Sequence, residues 1–420
     1  MYNPFEKERK ELTFMHKKLW NKDYILLLQG NTVSTIGDLM YSVAIGYWVY
    51  QQTGSSALMG IMSSISMFVT MFFSPLCGSI VDKCNRKWLI VGIDVLQGLL
   101  MLVVGLLAWQ NTLSVPIVLI VALLAAFGSV FYSPAVSTLM IDIIPRNDMV
   151  QGQSIFSGVS SLINLTGSAL SGVMVAFLGV PLIVVINGLS NLYSAVSEFF
   201  IHVPRTPQQG TQVTARGLLR DMGSAVKTIF SDGCLRLFVP SILLLNLLCA
   251  GPMTLMLPFC LEKGFTVDMY GYLSAVMTAG SLLCVLFLGI VKLPPKARFW
   301  TMTLGFSLFG VFSLLAYFST QFIPMCVLFF LASLTNAAGN AVFNAALMLA
   351  LPEENRSAIL GFVQSSCCGG MALSAVIFGF LGDVFPLHLV FAAGITLALL
   401  PILYVCLNRH TKAFILTHCE

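Results

Sequence analysis

Asp38 stands in the middle of the first long apolar run of this 420-residue chain, and Asn31, Ser34, Asp38 and Tyr41 follow one another at spacings of three, four and three. That spacing sets all four on one stripe of a helix. An ionisable group inside hydrocarbon costs about 2.5–3.5 kcal/mol or more at a helix centre, so its presence invites a chemical reason. A carboxylate there can take up and release a proton, neutralise a cationic substrate, or brace a neighbouring helix by hydrogen bonding. Two more acids lie in apolar runs. Asp94 in the third run is expected to pair with groups of the adjoining loop or of the second run. Glu198 ends a stripe of Asn187, Asn191, Ser194 and Glu198, close to His202 and Arg205, and is expected to snorkel to the membrane surface.

Uncharged amides recur in the apolar runs: Asn164, Asn246, Gln364, and Asn336, Asn340 and Asn344 spaced by four. Such groups either read hydroxyls and carbonyls of a substrate or join helices by hydrogen bonds. The aromatics Tyr41, Tyr47, Trp48 and Phe343 suit a bulky apolar substrate or plain packing. Other chemistries find no residues to carry them. Four of the five histidines lie outside the apolar runs and His388 only enters the last at its edge; they form no HExxH, and no GxxxxGK[ST] occurs, which argues against a membrane enzyme and against ATP-driven pumping. The eleven cysteines are scattered, without CxxC or zinc spacing, and read as small buried apolar residues. No cofactor is expected.

These residues need a membrane-spanning frame, and the composition supplies one. Hydrophobic residues make up 57% of the chain and charged ones 10%, where a soluble protein carries about a quarter charged. Apolar runs long enough to cross a bilayer as helices recur throughout. Twelve are predicted, at 24–50, 57–81, 88–108, 115–140, 152–177, 181–201, 235–257, 269–291, 299–318, 323–350, 357–381 and 387–407. With a cytoplasmic N-terminus, 21 of the 22 Lys and Arg fall inside and Lys263 alone falls outside. That sorting is the positive-inside rule, and it accounts for the basic clusters without any nucleic-acid partner.

The fold expected is therefore an all-α polytopic membrane protein with both termini cytoplasmic. A leader spans 1–23, read as uncleaved because charged residues of both signs precede a run too long for a signal peptide. A six-helix bundle follows over 24–203, a cytoplasmic linker over 204–233, a second bundle over 234–408, and a tail over 409–420. The halves resemble each other weakly, Pro145 and Pro352 occupying matching places and Gly172 matching Gly379 at the same offset. Two six-span repeats rocking about a central site are the architecture of alternating access. Gly158, Gly167 and Gly172 in the fifth span, and Gly361, Gly369, Gly370, Gly379 and Gly382 around the eleventh, are expected to let helices approach closely. Pro252 and Pro258 permit a kink in the seventh.

The stretch GSIVDKCNRK between the second and third spans resembles the loop signature of the major facilitator superfamily, with Gly78, Asp82, Lys83, Arg86 and Lys87 in place. Asn85 stands where a second glycine is usual, as the next-best residue for a left-handed turn. The segments STIGD, TGSSALMG, FYSPA and DIIPRNDMVQGQS are similar to the drug:proton antiporter branch that holds macrolide-efflux-like and siderophore-exporter-like proteins. The Gly-Pro pair typical of the antiporters' fifth span is absent.

The resemblance implies secondary active, proton-driven efflux of amphipathic small molecules, drug-like or macrolide-like, by a monomer in the bacterial cell membrane. A siderophore exporter or a lysolipid flippase of the same fold is the alternative. It places Asp38, Asn31, Ser34, Tyr41, Asn246 and Asn340 along the substrate and proton cavity. It also implies a conformational latch of Gly78, Asp82, Arg86, Lys87 and Asp142, in which Asp82 meets the N-terminus of the eleventh span near Asn355–Ser357 and Arg86 pairs with Asp142.

Overall fold

The computed structural model describes residues 19–81, 84–145, 148–202, 223, 226–231, 235–290, 294–350 and 356–407. The helices are α1 Lys22–Thr53, α2 Ser56–Val81, α3 Arg86–Trp109, α4 Val115–Ile143, α5 Met149–Phe199, α6 Leu235–Thr254, α7 Met256–Glu262, α8 Val267–Ile290, α9 Pro295–Phe318, α10 Phe322–Ala350, α11 Arg356–Val384 and α12 Leu387–Leu407. Most of the leader, Asp82, the linker apart from a few residues, Asn355 and the tail lie outside the described residues.

Among the described residues, nine helices are long and apolar enough to cross a membrane: α2, α3, α4, the later part of α5, α6, α8, α9, α10 and α11. The other long helical segments are more polar or shorter. In α1 the residues Asn31, Thr32, Ser34, Thr35 and Asp38 dilute the apolar run.

Breaks between helices follow local chemistry. Gly54 takes φ +62° between α1 and α2, in the left-handed region that only glycine enters without penalty. Helix α5 covers two expected spans and is broken at Gly179, where φ is 73° and ψ is 160°. Pro181 then begins the second arm, where a missing N–H is harmless. The seventh expected span is divided at Leu255, which leaves helical geometry at φ −97° and ψ 16°. The cause is Pro258, which has no N–H to offer the carbonyl four residues earlier.

Asn85 does not make the left-handed turn expected of it. Its φ is −73° and ψ 104°, an extended conformation, and its side-chain oxygen accepts from the Trp88 N–H at the start of α3. An N-cap uses that geometry and satisfies a donor the helix leaves orphaned.

The chain divides into two compact units. One comprises residues 1–45, 76–167 and 178–212; the other comprises 46–75, 168–177 and 213–420. The core of the first unit joins Tyr24 and Leu27 of α1, Ile90 of α3, Leu139, Met140 and Ile143 of α4, and Ala195 of α5. The Tyr24 hydroxyl reaches the Gly152 carbonyl at 2.8 Å, which satisfies its polar tip within that core.

In the second unit, Phe238, Phe299, Phe306 and Phe343 pack with Ile359 and Val363. Small residues bring backbones into contact there. A Cβ on Gly60 of α2 would collide with the Ala375 carbonyl of α11, and one on Gly379 would lie 2.9 Å from the Ala57 Cα. Gly172 meets the Gly271 backbone in the same way. Gly167, in the first unit, sits under Leu39, and Gly369 and Gly382 are similarly crowded. The expectation fails for Gly158 and Gly361, which face open space.

Charged residues of the second unit close helix ends. Asp383 at the end of α11 accepts from backbone N–H groups at the start of α2. Glu262 Oε2 accepts from the Leu387 N–H at the start of α12 at 3.0 Å. The neighbouring Lys263 Nζ donates to the carbonyls of Tyr317, at 2.7 Å, and Ser319, at the end of α9. Each charge has the sign its helix end favours. A cleft of about 430 Å³ lined by Tyr50, Ser55, Glu262 and Asp383 opens beside these caps.

Candidate functional site

The site of the first unit is made by glycines and serines before it is made by acids. Gly37 of α1 faces the second arm of α5 so closely that a Cβ would overlap Ser190 Oγ and lie 2.7 Å from Asn187 Oδ1. Two turns earlier, a Cβ on Gly30 would lie 3.1 Å from Ser194 Oγ. This small-on-small seam is the packing that membrane helices use to bring backbones together. It places Asp38, the residue after Gly37, against the amide stripe of α5. Asn191 Nδ2 donates to Asp38 Oδ1 at 3.4 Å, and also to the Asn187 carbonyl and side-chain oxygen at 3.1 and 3.0 Å. Asn187 and Asn191 are fully buried, while Asp38 itself is exposed.

Helix α3 joins the same arm of α5 by a second glycine seam. The backbones at Gly98 and Gly188 meet so that a Cβ on either would lie 3.0 Å from the other's carbonyl oxygen. One turn before Gly98 is Asp94, 2% exposed, with its Oδ2 accepting no hydrogen bond. Asp94 interacts electrostatically with Asp38 and with Glu198, and Ser194 lies beside it. The expected partnership with the loop or with α2 is replaced by this acidic neighbourhood, because the Gly98–Gly188 seam turns the Asp94 face toward α5.

Glu198 does not snorkel. It is fully buried, and its Oε1 accepts from the Tyr132 hydroxyl of α4 at 2.8 Å. A hydrogen-bond donor within reach in the interior holds it there. Its Oε2 is left without a partner. His202, named beside it in the sequence, turns instead to Asp23, whose Oδ1 accepts from the His202 backbone N–H at 3.0 Å.

Of the α1 stripe, Ser34 is buried and bonds back to the Asn31 carbonyl at 3.2 Å, and the Tyr41 hydroxyl is buried without a partner. Asn246 and Asn340 belong to the second unit. Asn246 donates to the Ile242 carbonyl and to Cys367 Sγ, and Asn340 to the carbonyl and side-chain oxygen of Asn336. Both are half-buried, with bonds that brace their own surroundings.

Among the loop residues, Gly78 lies in the last turns of α2, and Asp82 is outside the described residues. Arg86 and Asp142 are brought together in an ion pair at 2.5 Å, with 9% and 20% of their side chains exposed. Lys87 places its ammonium 5.3 Å from the Phe199 ring and 5.5 Å from the Trp88 ring.

Three participants, Tyr132, Asn187 and Asn191, were not singled out beforehand for this role. Tyr132 sits in the FYSPA stretch, where a tyrosine next to a helix proline carries no signal of its own. Asn187 and Asn191 were visible as a stripe, but which helix that stripe faces is decided by Gly30 and Gly37.

Helices able to cross a bilayer, carrying acids and amides clustered between glycine seams, define a polytopic membrane protein with a polar interior. The chain belongs to the Major Facilitator Superfamily, whose model matches residues 27–300 and 256–414. It is similar to the multidrug efflux pump Tap of Mycobacterium tuberculosis, 22% identical over 382 residues, covering 88% of this chain and 89% of that one. It is also similar to macrolide efflux protein A of Streptococcus pyogenes, 20% identical over 186 residues. That match takes in 44% of this chain and 46% of the relative, so the chain spans just under half the length of the macrolide relative it matches. A bacterial homologue of the iron transporter ferroportin, solved in an inward-facing state, shares the fold with a TM-score of 0.70 at 14% identity, over 96% of this chain and all of that one.

Proposed function

We propose that this chain is a secondary active exporter of amphipathic small molecules, driven by the proton gradient and working by alternating access. In this reading twelve spans form two six-helix bundles, over 24–203 and 234–408, with both termini in the cytoplasm of a bacterial cell and the chain acting as a monomer. The observation that carries it is the exposed Asp38 beside the buried Asn187–Asn191 pair, a carboxylate held in a membrane helix by an amide rather than by a cation. Efflux pumps among the relatives support the direction of transport.

Asp38 is the proton-coupling and cation-accepting group of this reading. Asn31, Ser34 and Tyr41 extend its face, and Asn246 and Asn340 serve the substrate from the other bundle. The latch of Gly78, Asp82, Arg86, Lys87 and Asp142 steadies the outward-open state, with the Arg86–Asp142 pair as its brace.

The test is efflux of a fluorescent cationic dye from cells or vesicles with and without an uncoupler. Efflux is expected to stop with the uncoupler and in Asp38→Asn, at unchanged protein level. Transport that ignores the uncoupler moves the reading to a facilitator, and pH-dependent transport retained in Asp38→Asn removes Asp38 from it.

A further inference from the structure

We propose that Asp94 and Glu198 form a second proton-binding site, buried behind Asp38, in which the two carboxyl groups hold one exchangeable proton beside Tyr132 and Ser194. The inference rests on the proton-coupled reading and extends it to residues that reading does not use.

Asp94 Oδ2, Glu198 Oε2 and Ser194 Oγ are all buried without a hydrogen-bond partner. Buried polar groups are nearly always paired, and an unpaired one costs about 1–3 kcal/mol. Two of the three are carboxylate oxygens, which only accept while ionised, and the Ser194 hydroxyl beside Asp94 can turn to supply one donor at most, so the pair of acids is short of a donor. An ionised carboxylate offers only acceptors, whereas a carboxylic acid offers an O–H as well. A proton on this pair therefore supplies the donor that the site lacks.

Charge points the same way. The titratable groups that meet here are Asp38 and Tyr41 of α1, Asp94 of α3, Tyr132 of α4 and Glu198 of α5. None of the five can carry a positive charge. Two ionised carboxylates in electrostatic contact, 2% and 0% exposed, repel each other with little solvent to screen them. One shared proton removes that repulsion and leaves a single negative charge, spread over oxygens that Tyr132 already helps to hold.

The order of exposure gives the site an entrance. Asp38 is exposed, Asp94 is in electrostatic contact with it, and Glu198 lies beyond Asp94. Once the Asp94–Glu198 pair has released its proton, one given up by the Asp38 carboxyl refills it, Asp38 being left ionised and free to meet a cationic substrate. One proton moves and one negative charge moves back. No other bond changes.

Infrared spectroscopy of the protein in lipid vesicles at neutral pH, with no substrate and no gradient, tests this. A carboxylic-acid carbonyl band is expected that moves to lower frequency in D2O. It should be lost in Glu198→Gln and in Asp94→Asn, kept in Asp38→Asn, and shifted but kept in Tyr132→Phe. If Glu198→Gln does not reach the membrane, Asp94→Asn and Tyr132→Phe carry the same test. No band in the unsubstituted protein, a band unchanged in the Asp94 and Tyr132 variants, or a band lost in Asp38→Asn alone overturns the proposal. Because no substrate is used, failure here leaves the efflux reading standing. Proton-coupled transport that survives Asp38→Asn fails that reading while leaving the band in place.

Discussion

The carboxylate of Asp383 holds the first turn of α2: Oδ1 accepts from the Ser56 N–H at 2.6 Å and the Ala57 N–H at 3.2 Å, and Oδ2 from the Ser55 hydroxyl at 2.6 Å. An acid at a helix N-terminus meets both orphaned donors and the positive end of the helix dipole. Asp383→Ala is expected to lower stability by about 0.5–2 kcal/mol, the range for loss of a cap. Asp383→Asn should lose less, because one acceptor remains. Melting temperatures of the purified variants in detergent decide the order, and an Ala variant as stable as the unsubstituted protein contradicts it.

Gly37→Ala is expected to force α1 away from the second arm of α5, since the added methyl has no room beside Ser190 and Asn187. Overpacking of this kind costs about 1–3 kcal/mol. Gly92→Ala on α3 is the matched control, because nothing lies within 4 Å of its new Cβ. Gly92→Ala should melt at or slightly above the starting temperature, as replacing a helix glycine gains about 0.5–1 kcal/mol. Equal melting of the two variants would contradict the seam.

Breaking the Arg86–Asp142 pair from either side removes a charge-assisted hydrogen bond from a mostly buried site. Arg86→Met and Asp142→Asn are each expected to destabilise by about 1.5–3 kcal/mol, the range for hydrogen bonds to charged groups. The double variant should lose less than the sum of the two, so a double-mutant cycle in thermal unfolding is the measurement. Strict additivity would mean the pair contributes nothing.

Asn191→Ala removes the amide that touches Asp38 while keeping the acid. A hydrogen bond is worth about 0.5–1.5 kcal/mol, so proton-driven efflux should fall roughly twofold to twelvefold. Asp38→Asn should abolish it. Initial rates in inverted vesicles compare the two, and a larger loss in Asn191→Ala would make the amide, not the acid, the coupling group.

The frame was legible because lipid demands simple things of a sequence. Long apolar runs and sorted cations are visible without neighbours, and so was Asp38. The kink in the seventh run could be read from Pro252 and Pro258, since proline acts on its own helix. What could not be read was which face meets which. Asp94 and Glu198 looked like interface residues because each lies within a few turns of a charged loop. Only the Gly98–Gly188 and Gly37–Ser190 contacts bring them into one neighbourhood, and a glycine's partner is not written beside it. Asn85 shows the same limit on a smaller scale, since asparagine suits both a left-handed turn and an N-cap. Asp383 gave no sign at all, as an acid ending an apolar run is ordinary until the helix it caps is known.

In the twelve-span topology expected from the sequence, Lys263 is the one cation on the opposite side from the other 21. Its ammonium sits on the carbonyls that end α9, while Glu262 beside it sits on the amide that begins α12. A helix end carries about half a unit of charge, and the adjacent Lys263 and Glu262 carry opposite unit charges, so the two clasps together form a compact multipole rather than a free monopole. The field of such a pair fades within a few ångströms, well inside the distance over which dissolved salt can act. The apparent exception in the charge sorting is thus electrically quiet: that rim presents little for an anionic lipid headgroup to hold, and its clasps should be largely indifferent to the ionic strength of the medium.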